Sequence, residues 1–473
     1  MRARITGTIP RPPTLRRRHP GRGNPAPSPR VGPTTRTRAP GRRWNLSISG
    51  TVDVAIVGAG AAGLAAGRRL SAGRPELRIQ VLEAQDRTGG RAHTVVPDAV
   101  GAPLDLGCGW LHGAERNPWL AIAGDFGFHV DRTPAPWDVQ YRDLGFPPAD
   151  QRAYEAASEA FQARQAAAQG DPVDRPLGAL LEPDDPWNGL LNAVSTYVSG
   201  AELDDLSTHD AARYQVHGSD WRVTEGYGRL VARYGDGLPV ALGTPVSRVD
   251  HGAAGPVRLE TPRGTLRAGA VVVTVSTNVL AEGAIRFDPP LPGKQAAAHA
   301  LPLGLANKVF LHLVRPEELP ADAHLIGNPR SARTGAYHLR PFGRPVIEGY
   351  LGGALARDLE RAGSGAAAAF ALDELVALLG ADFRRRATLL TATRWGQDAA
   401  IRGSYAYARP GAADRRAVLA APVGERLFFA GEATSPDAFT TVRGAYESGR
   451  RAADEVLAAL GGQAVGPSRG PAR

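Results

Sequence analysis

Asp53-Val54-Ala55-Ile56-Val57-Gly58-Ala59-Gly60-Ala61-Ala62-Gly63 decides how the chain is read. An apolar, β-branched run meets G-x-G-x-x-G, and a helical pattern with Leu64, Ala65, Ala66 and Leu70 follows. Strand, tight glycine turn, helix is the order that a dinucleotide fingerprint requires. Gly58 permits the turn, Gly60 lets backbone N–H groups approach a pyrophosphate, and Gly63 lets the helix pack on the strand. The helix N-terminus adds partial positive charge for the phosphates. A second strand, Arg78-Ile79-Gln80-Val81-Leu82, runs into Glu83, 20 residues past Gly63. That is the spacing of the acid that holds a ribose hydroxyl pair. Gly58, Gly60, Ala62, Gly63 and Glu83 are therefore candidate cofactor-binding residues. Alone, the loop suits NAD as well as FAD.

The bulk numbers bound the rest. A chain of 473 residues has room for more than one domain. No run of about 18 apolar residues appears, so no membrane-spanning helix is expected. Cys108 is the single cysteine, which excludes an intrachain disulfide and a multi-cysteine metal site. No metal site is expected, and the reduced cytosol is the simplest compartment. The net charge of +9 comes from the first 43 residues, which hold twelve arginines and no acid. The remainder has 44 basic against 47 acidic residues, a balance of −3. The charge thus belongs to a Pro/Gly/Arg-rich segment, 1–50, expected to be a disordered tail. Only that tail speaks for nucleic acid. Lys294 and Lys308 are the only lysines, against 54 arginines, so a lysine inside a strand needs a reason.

Further glycine motifs follow. Leu82-Glu83-Ala84-Gln85-Asp86-Arg87-Thr88-Gly89-Gly90-Arg91 looks like another close backbone approach, with Arg91 reaching a phosphate. Gly107-Cys108-Gly109-Trp110-Leu111-His112-Gly113 joins glycines, an aromatic ring and a histidine. Together, G-A-G-A-A-G-L, L-E-A-x-x-R-x-G-G-R and G-x-G-W-L-H-G resemble the flavin-containing amine oxidase family. That family includes polyamine oxidases, monoamine oxidases and flavin-dependent histone demethylases, and the resemblance covers residues 51–460.

The resemblance implies an α/β fold: a discontinuous Rossmann-like FAD-binding domain of the GR2 type, with an interleaved α+β substrate-binding domain. Residues 51–130, 223–310 and 395–460 are expected in the first, and 131–222 and 311–394 in the second; 461–473 is expected to be a disordered tail. Tyr154 and Phe161 mark the apolar face of a helix at 151–168, and 366–379 is a second clear helix. Strands are expected at Pro245–Val249, Val257–Thr261, Ala270–Val275 and Leu305–Leu313, with a hairpin at Pro262-Arg263-Gly264.

It also implies site roles. The residue matching Val246 meets the adenine through its backbone. Lys308, in Asn307-Lys308-Val309, matches a lysine that faces the flavin N5 through a water and takes part in proton traffic. Glu432, after Gly431, matches the acid of the ribityl and diphosphate region, and the match to Val442 offers its N–H to the pyrimidine edge. Gly109, Trp110 and Trp395 fall at further cofactor-contacting positions. Some members use two aromatic rings as a cage beside the flavin; Tyr405 matches the first and Thr441 the second, so the cage is half open. His112 matches a histidine near the substrate amine. Lys308, His112, Tyr405 and Thr441 are the catalytic candidates. The loop that carries a flavin-linking cysteine in monoamine-oxidase-like members holds Ser404 and Tyr405 here, so non-covalent FAD is expected.

The implied chemistry is hydride transfer from an amine α-carbon to flavin N5, hydrolysis of the imine, and reoxidation by O2 to H2O2. The expected partners are a small-molecule amine, such as a polyamine or other primary or secondary amine, and O2, without a membrane. An L-amino-acid oxidase or another flavoenzyme of this fold is the alternative, followed by a flavoprotein tethered to nucleic acid by its tail.

Overall fold

The computed structural model describes residues 48–462. The tails expected at 1–50 and 461–473 lie almost wholly outside these residues. The strand Gly50–Val57 is the centre of the first sheet. It pairs in parallel with Ile79–Leu82 on one side and Gly264–Val273 on the other. Val240–Ala241 joins beyond Ile79–Leu82, and Leu427–Phe429 joins beyond Val271–Val273, both in parallel. The parallel centre is thus assembled from three distant parts of the chain. Gly264–Ala268 instead pairs antiparallel with Val257–Thr261, the hairpin expected at residues 262–264.

Side chains alternate across this sheet, and both faces are covered, as a parallel sheet requires. Val54 and Ile56 are buried on one face, against Leu64 and Leu70 of the helix Ala61–Gly73 and Ala453 and Val456 of the helix Val442–Gly462. Ala55 and Val57 enter a second core with Val249, Leu259 and Phe429. Full burial of each Val, Leu, Ile or Phe side chain among them contributes about 1.5–3 kcal/mol. Gly449 brings the first and last helices together: a Cβ there would stand 2.1 Å from the Ala62 carbonyl oxygen and 2.9 Å from its carbon.

A second, antiparallel sheet has the order Ala323–Ile326, Ala336–Leu339, Val346–Gly352, Ala306–Leu313, Ala387–Ala392. The helix Ser364–Leu379 covers one face through Ala368, Ala371 and Leu375. Residues 131–222 supply the helices Pro148–Ala167 and Asn188–Ser199. Trp187, Leu190 and Ala193 share a core with Ile326 and Ala336 of the second sheet, so the two separated stretches pack as one layered unit. The α/β architecture with a parallel sheet and an interleaved second part is as expected.

Two details differ. The strand expected at Pro245–Val249 is confined to Arg248–Asp250. Proline cannot donate to a ladder, and Val246 lines a cavity instead. The boundary expected after residue 310 falls inside the strand Ala306–Leu313, which is hydrogen-bonded on both sides within the second sheet. Among the described residues, no helix is long and apolar enough to cross a membrane, and no cluster of His, Cys, Asp or Glu could hold a metal ion.

Candidate active site

Beyond the end of the strand Gly50–Val57, a cavity of about 370 Å³ is lined by residues drawn from most of the chain's length. Its glycines are required for different reasons. Gly58 has φ +104°, and a Cβ there would stand 2.6 Å from the Thr274 hydroxyl. A Cβ at Gly63 would stand 2.0 Å from the Gly58 carbonyl oxygen. Both are demanded by the protein itself. Gly60 is not: its φ of −77° suits any residue, and a Cβ would meet only the Gly89 oxygen at 4.0 Å. Its missing side chain leaves space in the cavity, beside the free N–H groups at the start of the helix Ala61–Gly73. That space and those donors suit a pyrophosphate.

Glu83 lies at the same end. Its carboxylate accepts from the N–H of Ala59 at 2.6 Å and of Gln85 at 2.8 Å. Burial pushes its carboxyl above the ordinary value, although these donors favour the charge. Val246 and Ala62 line the cavity nearby.

Gly431 and Glu432 line it further along, with Arg91. Arg91 pairs with Glu432 at 2.9 Å and also donates to the Ser404 carbonyl. Glu432 in addition accepts from the N–H groups of Ala406 at 3.1 Å and Thr440 at 2.9 Å. One buried carboxylate therefore ties together the Gly-Gly-Arg turn, the aromatic loop and the approach to the last helix. Thr441 accepts from Gly444 N–H at 3.0 Å and donates to the Ala438 carbonyl at 2.6 Å, which caps the helix Val442–Gly462. Thr441 and Val442 line the cavity, so the positive end of this helix faces it.

Lys308, Trp395, Tyr405 and Cys108 complete the wall. Lys308 is 7% exposed. Its Nζ lies 2.7 Å from Glu348 Oε1 and donates to the Asp105 carbonyl at 3.0 Å. Burial alone would lower its pKa, but Glu348, with Tyr350 and Asp105, outweighs this and holds it above the ordinary lysine value. Lys308 Nζ is thus held between a carboxylate and a carbonyl in the cavity wall. Burial pushes the Cys108 thiol up, away from the thiolate.

The cavity does not gather every candidate. Gly63 packs behind it, and Gly109 stands against Lys308, where a Cβ would lie 3.3 Å from Nζ. His112 is half-exposed and pairs with Asp220 at 3.1 Å, off the cavity wall. Trp110 belongs to an aromatic cluster with Trp137, 5.2 Å between ring centres, and His338 at 6.1 Å. Glu348 was not singled out in the sequence. The available signal was the one that marks Lys308: a lone charge within an apolar strand, here Val346–Gly352.

A family profile described as flavin containing amine oxidoreductase matches residues 61–193 and 151–457. The chain is 30% identical over 437 residues to polyamine oxidase 2 of Arabidopsis thaliana, covering 85% of this chain and 87% of that protein. It is 32% identical over 450 residues to lysine-specific histone demethylase 1 homolog 1 of Oryza sativa subsp. japonica, covering 86% of this chain but 52% of that protein. Among solved structures, wild-type putrescine oxidase bound to putrescine matches with a TM-score of 0.70 at 22% identity, over 86% of this chain and 99% of that one. The open cradle at Gly60, the two helix N-termini and the buried carboxylates fit a flavin dinucleotide. The chain belongs to the flavin-containing amine oxidoreductase family.

Proposed function

We propose that this enzyme is an FAD-dependent oxidase of polyamines or of another primary or secondary amine. The observation that carries the reading is one continuous cavity with a dinucleotide cradle at Gly60 and Glu83 and a buried ammonium, Lys308, in its wall. In this reading Gly58, Gly60, Ala62 and the first helix hold the diphosphate, with Gly63 behind them; Glu83 holds the ribose and Val246 the adenine. Arg91, Gly431, Glu432 and Trp395 border the middle, and Val442 takes the pyrimidine edge. When bound, FAD supplies the acceptor for the α-carbon hydride, and O2 then takes the electrons to give H2O2. Tyr405 and Thr441 border the place for the reacting amine, with Gly109 and Trp110 toward the substrate side. Burial of the amine favours its neutral, reactive form. His112, with Asp220 behind it, receives the amine from the half-exposed side. In this reading FAD is held without a covalent link, because the loop beside Tyr405 carries Ser404 and the thiol of Cys108 is pushed away from the thiolate. The FAD-binding part takes residues 51–130, 223–305 and 395–460, and the substrate part takes 131–222 and 306–394.

Peroxide release from spermine, spermidine, putrescine, tyramine and L-amino acids tests the substrate class. Turnover of the polyamines is expected; turnover of L-amino acids alone would make the enzyme an amino-acid oxidase. Acid precipitation should leave the yellow colour in the supernatant.

A further inference from the structure

We propose that Glu348 is a positioning residue for Lys308: its carboxylate keeps the ammonium charged and fixes where its remaining N–H points. The register explains the pairing. Lys308 lies opposite Tyr350, and Phe310 opposite Glu348, in the antiparallel pair of Ala306–Leu313 with Val346–Gly352. Lys308, Glu348 and Tyr350 therefore share one face, and Lys308 reaches diagonally across the ladder to Glu348, a span that long side chains cover.

The stoichiometry of donors sharpens the role. An ammonium has three N–H groups and no acceptor. Glu348 takes one at 2.7 Å, and the Asp105 carbonyl takes another at 3.0 Å. One is left, on a side chain that lines the cavity. The Asp105 carboxylate cannot substitute for Glu348. Its oxygens accept from the Thr94 hydroxyl and from the N–H groups of Tyr227 and Gly228. Glu348 itself is shielded, with a side chain 12% exposed, so the attraction is poorly screened.

The other titratable or charged groups acting on the pair are Tyr350, His338, Arg344, Asp105, Tyr405 and Cys108. Among them only Glu348 places a carboxylate oxygen on Nζ. Without it, a lysine this buried would tend to lose its proton. The cavity wall would then lose a positive charge and a donor beside the proposed flavin. The consequence for the flavin rests on the function proposed above; the protonation of Lys308 does not.

The test exploits the lysine count. Protein labelled with ¹⁵N at lysine Nζ carries only two such sites, Lys294 and Lys308, assigned by comparison with Lys308→Met. In the wild type, the Lys308 signal should stay that of an ammonium up to about pH 10. In Glu348→Gln its protonation equilibrium should fall at least tenfold, and Glu348→Asp should restore part of it. An unchanged Lys308 titration in Glu348→Gln would overturn the proposal, as would a neutral Lys308 in the wild type. In the FAD-loaded enzyme, Glu348→Gln should slow flavin reduction at least tenfold and add an alkaline pH dependence, with no further effect in a Lys308→Met background. A rise in KM alone, persisting in that background, would instead place the carboxylate on the substrate and contradict a role through Lys308. Failure of the wild type to bind FAD would sink the functional reading and leave the lysine titration to decide this one.

Discussion

Lys294 and Lys308 are the only lysines of the chain, and both are buried. Lys294 has nothing to do with the cavity. Its Nζ donates to the carbonyls of Val418 at 2.8 Å, Leu419 at 2.9 Å and Ala421, so it caps the C-terminus of the helix Arg415–Ala420. It also lies 4.3 Å from the Phe429 ring centre. Burial pulls its pKa down to about 8. Lys294→Met strands those carbonyls and should cost about 1–3 kcal/mol in urea unfolding, with the specific activity of the folded fraction unchanged. Lys308 interrupts an apolar strand pattern in the sequence, which made it conspicuous, whereas Lys294 stood out only as the other lysine. What each one touches was not legible. The partner of Lys308 is 40 residues away in a strand whose register no local pattern reports, and the carbonyls that hold Lys294 belong to the backbone of a helix more than 100 residues on.

At the scale of elements, the last helix, Val442–Gly462, joins stability to the site. Thr441 caps it with its hydroxyl, and the N-terminus so exposed faces the cavity. Thr441 was expected only as the non-aromatic half of a cage; the structure adds a local reason for threonine. Thr441→Ala should lower stability by about 1 kcal/mol in urea unfolding and weaken FAD retention during gel filtration, while Thr441→Ser restores both. A variant that keeps wild-type stability would show that the cap contributes nothing. The glycine turn and its flanking strand and helix were legible because their signal is local. The short strand Arg248–Asp250 was overextended in the sequence because Val246 is apolar for a different reason, facing a cavity rather than a ladder.

For the molecule as a whole, the interleaving is secured by buried charge. Arg416 pairs bidentately with Asp210, at 2.7 and 2.6 Å, and thereby joins the helix Thr208–Arg213 to the closing part of the chain. The return of the chain to the first sheet was readable from its glycine motifs only through the family resemblance. A run of 131–222 without sharp motifs says little about its packing. The cluster of Trp110, Trp137, His324 and His338 was equally hidden, since its members come from four separate segments. His324 lies within it, and burial with the neighbouring His338 pushes its pKa down to about 3. A histidine depressed in the folded state stabilises above its unfolded pKa of about 6.5, and that contribution is lost as pH falls toward the folded value. At pH 5 the loss should be about 2 kcal/mol relative to pH 7.5. Comparison of urea midpoints for the wild type and His324→Gln should show the variant losing less on acidification; equal losses would exclude His324 as a cause.

The function proposed for the site requires that a flavin in the cavity at Gly60 and Lys308 take electrons from an amine. Anaerobic addition of spermidine or putrescine to the FAD-loaded enzyme tests it most directly. The oxidised flavin absorbance near 450 nm should bleach with the polyamine and return when air is admitted. A spectrum unchanged by every amine tried would contradict it.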